Sequence, residues 1–140
     1  MPDCIFCQII QGKLPCAKVY ENDIVISFLD INPVTAGHTL VVPKIHYETL
    51  FDIPGTELQA CALAAKLIAK AVFKGTNASG LNFFQNNFRP AGQLIDHIHF
   101  HLIPRHPHDH FFTSWPGKPY QQGELDRTLK KIRAECEHPE

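Results

Sequence analysis

The chain has almost no charge imbalance: 13 Lys and Arg stand against 14 Asp and Glu, a formal net charge of −1 at pH 7. A surface built for nucleic acid carries a basic excess, so no nucleic-acid partner is expected. No apolar run approaches the roughly 18 residues that cross a bilayer, and no membrane association is expected either. The opening residues, Met1-Pro-Asp-Cys-Ile-Phe-Cys7, lack the basic stretch and apolar core of a secretory signal. A cytoplasmic protein is therefore expected. Five cysteines are an odd number, and without a secretion signal they point to metal binding or burial and not to a disulfide framework. Internal repeats and low-complexity tracts are also missing. What remains is 140 residues, 44% apolar and 19% charged, the profile of one globular domain (1–140) large enough to bury a core.

Histidine is abundant, with nine in the chain. Three of them, His97, His99 and His101, fall at i, i+2 and i+4 within Asp96-His-Ile-His-Phe-His-Leu-Ile-Pro104. A β-strand has a period of two, so the three imidazoles share one face and Ile98, Phe100 and Leu102 share the other. The apolar face is expected to bury, and the histidine face is left for chemistry. Neighbouring side chains on that face start about 6.7 Å apart, and the outer pair about twice that. A tetrahedral zinc with bonds of about 2.0–2.3 Å does not gather all three from a straight strand. The three histidines thus have different jobs.

Ala17–Tyr20 and Ile24–Leu29, separated by the turn residues Glu21-Asn22-Asp23, predict a hairpin. His38–Pro43, entered through Gly37, predicts a third strand, Gly80–Gln85 a fourth, and residues 96–104 a fifth. One long helix is predicted from about Thr56 to Lys74, with Thr56 and Gln59 matching a capping box and Gly75 suiting the C′ position. Its polar residues Gln59, Lys66, Lys70 and Lys74 form a narrow stripe, so the helix packs on the sheet. The excess apolar surface suits a subunit interface. A short C-terminal helix is predicted over about Glu124–Glu137, with Leu125, Leu129 and Ile132 on one face. The order predicts an α+β domain with an antiparallel sheet of about five strands. Asn86–Gln93 is a polar loop just before the triad.

Cys4-x-x-Cys7 is the single C-x-x-C of the chain, a spacing that suits a zinc knuckle. The βαβ setting of a redox C-x-x-C is missing. Two further ligands are needed; His46 is one candidate, and His97 or another strand histidine is the other. Cys16, Cys61 and Cys136 read as structural or incidental.

These residues together resemble the histidine triad (HIT) family. His97-Ile-His99-Phe-His101-Leu-Ile103 resembles its His-x-His-x-His motif, with Gly92-Gln93 at the family's upstream spacing. Phe28-Leu-Asp-Ile-Asn-Pro33 and Gly37-His-Thr-Leu-Val-Val-Pro-Lys-x-His46 resemble its central strands. Cys4-Ile-Phe-Cys7-x-Ile-Ile and Lys18-Val-Tyr-Glu21 resemble its N-terminal strand region. The match covers about residues 4–105, leaving 106–140 as a C-terminal extension. It is closer to the small nucleotide hydrolases than to the longer uridylyltransferases.

The resemblance implies roles. His99 would be the nucleophile at the α-phosphorus of a nucleotide, giving a nucleotidyl-histidine that water then hydrolyses. His101 would contact the phosphate and leaving group, Gln93 would sit near the reacting phosphate, and His38 near the histidine cluster. Asp30 would hold the ribose hydroxyls, Phe6, Ile9, Phe28 and Ile31 would surround the base, and Asn86 would make a polar contact near the phosphate. A structural zinc would be held by Cys4, Cys7, His46 and His97. The family implies a homodimeric hydrolase of AMP-linked substrates, adenosine 5′-phosphoramidates or dinucleoside polyphosphates. The alternative is a nucleotide-binding or partner-binding module with residual catalysis. A metalloenzyme with a reactive metal fits poorly, because two thiolates and two imidazoles close a zinc shell. Leu94 stands where several members carry Ser or Thr, which removes a hydroxyl. A second run, His106-Pro-His108-Asp-His110, has no apolar face and reads as a mobile loop. Trp115 reads as a packed aromatic or a cover for a partner's site.

Overall fold

Asn22 makes the first turn. Its Oδ1 accepts from the N–H groups of Ile24 and Val25 at 2.9 and 2.8 Å, the local hydrogen bonding that favours Asn in turns. In the computed structural model, which describes residues 3–137, this turn joins β1 (Lys18–Glu21) to β2 (Val25–Leu29). Strands β3 (Thr39–Pro43), β4 (Gly80–Gln85) and β5 (Phe100–Arg105) complete an antiparallel five-stranded sheet in the order β1-β2-β3-β5-β4. Among the described residues three α-helices accompany it: α1 (Ile5–Ile10), α2 (Gly55–Gly75) and α3 (Glu124–Cys136). The α+β class and strand count agree with expectation. Among the described residues, no helix is long and apolar enough to cross a membrane.

The period of two divides the core between the two faces of the sheet. Val25, Val41, Ile98, Phe100 and Leu102 pack against Cys61, Ala64, Ala65, Ile68 and Val72 of α2. Burial pushes the Cys61 thiol up to about 12, so it is an inert core group. Ile26, Phe28, Leu40 and Val42 face the other way and are covered by Phe6 of α1. The face that carries the histidines is therefore also roofed, and its chemistry is confined to a cleft.

Three local expectations need correction. Residues 5–10 are helical and not a strand, because Cys4 caps the helix through its sulfur, accepting from Cys7 N–H at 3.4 Å. The triad segment joins the ladder only at Phe100; upstream, Ile98 N–H donates to Tyr47 C=O at 2.7 Å. Thr56 forms no capping box. Its hydroxyl donates to Glu57 at 2.6 Å, Pro54 is the N-cap, and the left-handed residue after α2 is Asn77 (φ 53°), not Gly75. The C-terminal helix forms as expected; α3 buries none of its residues, so Leu125, Leu129 and Ile132 face outward. Gly37 is required where the chain enters β3. Its φ is +100°, and a Cβ there would lie 2.5 Å from Thr76 Cγ2, which no side chain tolerates.

Candidate active site

Two centres lie on the histidine face. The first joins α1, the segment after β3 and the triad. His97 donates from Nε2 to Pro43 C=O at 2.8 Å, which leaves Nδ1 as a bare ligand nitrogen. That nitrogen lies 3.4 Å from Cys4 Sγ, 3.6 Å from Cys7 Sγ and 3.1 Å from His46 Nδ1, and His46 Nδ1 is 3.4 Å from Cys7 Sγ. In a tetrahedron with zinc-type bonds, two nitrogens are about 3.3 Å apart and a sulfur and a nitrogen about 3.5 Å. The four ligand atoms thus converge on one point as a metal shell requires, all within 4.8 Å of one another. Burial, then the neighbouring Cys4, pushes the Cys7 thiol up, a penalty that a bound cation offsets.

The second centre opens on a cleft of about 360 Å³ whose walls include Ile5, Phe6 and Ile9 from α1, Phe28–Ile31 around the end of β2, and His99 and His101. The hydrogen-bond partners assign each tautomer. His99 donates from Nδ1 to His97 C=O at 2.7 Å, so Nε2 carries a free lone pair. Val34 N–H donates to His38 Nδ1 at 3.1 Å, and His38 Nε2 therefore donates to His101 Nδ1 at 2.9 Å. His101 then keeps its proton on Nε2. Phe84 stacks on His101 with ring centroids 4.7 Å apart, and Phe6 sets its edge against His99 at 5.1 Å. Asp30, His38 and His101 also bring three ligand-type atoms together, but the hydrogen bond between the two imidazoles accounts for their approach. Burial lowers the pKa of all four imidazoles: His101, itself half-buried, to about 3, His97 to about 4, and His38 and His99 in the same direction. They are neutral at pH 7, the state in which imidazole is a nucleophile or a ligand.

The other predicted residues are placed unevenly. Phe6, Ile9, Phe28, Asp30 and Ile31 line the cleft with His99 and His101. Asp30 Oδ2 lies 3.8 Å from His38 Nε2. His38 is buried behind His101. Asn86 Nδ2 would lie 3.4 Å from a Cβ at Gly92, and Gly92 does line the cleft. Gln93 does not: it is 2% exposed, with Oε1 accepting from Phe88 N–H at 2.7 Å and Nε2 donating to Glu48 C=O at 2.6 Å. Sequence reasoning passed over Ile5, Leu40 and Ile95, which also form walls. Ile95 continues the triad's own i, i+2 pattern upstream, and Leu40 alternates with Val42 in β3. Those two signals were present.

The second histidine run is anchored. Arg105 directs Nε and Nη2 to the two oxygens of Asp109 at 2.7 and 2.8 Å, and its remaining donors to Asn82, Phe111 C=O and Phe112 C=O. His108 and His110 both take positive φ in the resulting tight loop.

Comparison with known proteins places the chain in a family. The HIT domain profile matches residues 11–108. An adenosine 5′-monophosphoramidase of Schizosaccharomyces pombe is 37% identical over 131 residues, covering 92% of this chain and 95% of the relative. A crystal structure from Streptococcus mutans superposes with a TM-score of 0.91 at 38% identity, covering 97% of this chain and 87% of that one. A Zn-bound histidine triad family protein from Mycobacterium smegmatis superposes at 0.75 with 34% identity and 99% of both chains. With the profile spanning most of the chain and relatives this similar over nearly their whole length, the chain belongs to the HIT domain family and resembles hydrolases of nucleotides.

Proposed function

We propose that this protein hydrolyses AMP-linked substrates, adenosine 5′-phosphoramidates or dinucleoside polyphosphates, through a nucleotidyl group carried on His99. The observation that carries the reading is the fixed tautomer of His99, which points a bare Nε2 into the cleft beside His101. In the first step the Nε2 lone pair forms a bond to the α-phosphorus while the bond from phosphorus to the leaving group breaks. The Nε2–H of His101 donates to that leaving group, and His38 holds it in the donating tautomer. In the second step water attacks the same phosphorus while its bond to His99 Nε2 breaks, gives its proton back to His101, and releases AMP with His99 free. Two displacements replace one difficult step.

The purine base lies among Phe6, Ile9, Phe28 and Ile31, and the Asp30 carboxylate accepts from the ribose hydroxyls. Asn86 stands near the phosphate across Gly92, and Gln93 supports that wall from behind. Cys4, Cys7, His46 and His97 hold a structural zinc, which serves as a staple between α1 and the triad. The protein works as a homodimer in the cytoplasm, paired across the outer face of α2, where Leu63 and Leu67 are 71% and 55% exposed. Leu94, exposed at the rim, supplies no hydroxyl to a leaving group; this favours the second reading, a nucleotide-binding or partner-binding module with residual catalysis. Intact-mass analysis of protein quenched early with an adenosine phosphoramidate separates the two. Adenylylated protein is expected in the wild type and none in His99→Ala; an undiminished adduct in the variant rejects the mechanism.

A further inference from the structure

The loop between β4 and β5 holds a backbone conformation that its own residue disfavours. Phe88 sits at φ 70°, ψ 161°, a region open to glycine and costly for a bulky side chain. Three sets of contacts keep it there. Its N–H donates to Gln93 Oε1 at 2.7 Å. Its C=O accepts from the N–H groups of Ala91 and Gln93, both at 3.1 Å. Its ring stacks on Phe51 with centroids 5.9 Å apart.

The far end of the same carboxamide leaves the loop and donates to Glu48 C=O at 2.6 Å. Glu48 lies two residues after His46 of the metal cluster, and between them Tyr47 C=O accepts from Ile98 N–H of the triad segment at 2.7 Å. Gln93 itself is kept out of the cleft, yet its chain neighbours Gly92 and Leu94 both line it. One side-chain amide therefore ties a wall of the reaction cleft to the segment that braces the triad.

We propose that Gln93 is a positioning residue: its carboxamide holds Phe88 in the left-handed region and so fixes the 88–94 turn that sets Gly92 and Leu94 beside His99 and His101. What the turn serves rests on the hydrolase reading above; the lock is a property of the loop. The chemistry demands an amide, with an acceptor at one end for Phe88 N–H and a donor at the other for Glu48 C=O. Gln93→Glu sets an acceptor against the Glu48 carbonyl, and Gln93→Met removes both bonds at similar volume.

The test is a double-mutant cycle of Gln93→Met and Phe88→Gly in the full zinc-loaded chain, with adenosine 5′-phosphoramidate as substrate. Gln93→Met alone is expected to lower kcat about 30-fold and to change KM less than about threefold, because the base and ribose contacts lie on other elements. In the Phe88→Gly background the same substitution is expected to cost less than about threefold, since glycine occupies this backbone region without strain. A glutamine that touched the phosphate would lose the same factor in both backgrounds, and that result overturns the proposal. So does a Gln93→Met enzyme with undiminished kcat. If Gln93→Met does not fold, Gln93→Glu is read by the same criteria. Amide hydrogen exchange at residues 91 and 93, measured without substrate, is expected to quicken in Gln93→Met and to slow again with Phe88→Gly. Wild-type protein without turnover but with this exchange pattern rejects the hydrolase reading and keeps the lock; unchanged exchange in Gln93→Met rejects the lock.

Discussion

Loss of the proposed zinc is predicted to act on substrate binding more than on chemistry, because α1 belongs to both centres. This helix has six residues, and isolated helices shorter than about 12–15 residues are marginal in water. Among its anchors are Phe6, packed on Phe28 at 5.5 Å, and the sulfurs of Cys4 and Cys7 within 3.4–3.6 Å of the His46 and His97 ring nitrogens. Cys7→Ser deletes one of the four ligands. The helix then loses its second sulfur anchor and frays from the sheet. Its outer residues Ile5, Phe6 and Ile9 are one wall of the cleft, so a bound nucleotide loses that wall. Full burial of such a side chain is worth about 1.5–3 kcal/mol, and a base covers part of each. A loss of about 2–3 kcal/mol follows, or about 30- to 150-fold in KM at about 1.4 kcal/mol per factor of ten. The fall in kcat is expected to be smaller, since the Nε2–H of His97 still donates to Pro43 and its carbonyl still orients His99. Metal analysis beside steady-state kinetics on the phosphoramidate checks both parts. A variant that has lost its metal with KM within twofold of wild type shows that apolar packing alone holds α1, and a variant that keeps its metal shows the ligand set to be wrong.

Three further outcomes are expected. His38→Asn is too short to reach His101 and frees its tautomer, so kcat falls by about 100-fold with metal content unchanged; a fall of less than fivefold in stopped assays refutes the relay. Stability falls with acidification, with the sign set by His101, whose pKa drops from 6.5 in the unfolded chain to about 3 on folding. Below 6.5 the unfolded chain takes up a proton that the folded state refuses, and by about pH 5 this one group costs about 2 kcal/mol. Urea titrations at about pH 7 and pH 5 measure it, and equal stability at the two contradicts burial as the cause. Leu63→Glu with Leu67→Glu puts charge on the exposed face of α2, and sedimentation is expected to turn a dimer into a monomer; an intact dimer moves the interface elsewhere.

Much of the fold was legible because period two is a strong signal when both faces of a sheet are covered. Ile98, Phe100 and Leu102 could only face a core, and they meet α2. The misread parts depended on contacts that a residue pattern does not encode, some distant in sequence and some adjacent. Residues 5–10 carry too few turns to announce a helix, and their state is decided by a sulfur cap and a histidine about 90 residues away. Thr56 matched a capping box in pattern, yet its hydroxyl found the Glu57 carboxylate beside it. α3 has a clear apolar stripe, but a stripe says that a surface is available and not that this chain covers it.

The site divides along the same line. Side-chain type and spacing marked out the Cys4/Cys7 pair and the triad, because thiols and an i, i+2 run of imidazoles are rare enough to be read locally; His38, Asp30 and the apolar wall were suggested only by the family resemblance. What each imidazole does is set by its second nitrogen, and that nitrogen's partner is in every case a backbone group or a residue remote in sequence: Pro43 C=O for His97, His97 C=O for His99, His38 for His101. The same limit applies to Gln93. A glutamine beside the triad suggests a donor to phosphate, but its carboxamide is claimed first by Phe88 in a strained turn and then by Glu48, 45 residues upstream. A conformation disfavoured for phenylalanine by about 1–3 kcal/mol persists only where other bonds hold it, and those bonds consume the amide that would otherwise face the substrate. The strain at Phe88 and the withdrawal of Gln93 from the cleft are thus one fact, visible only when the loop is closed.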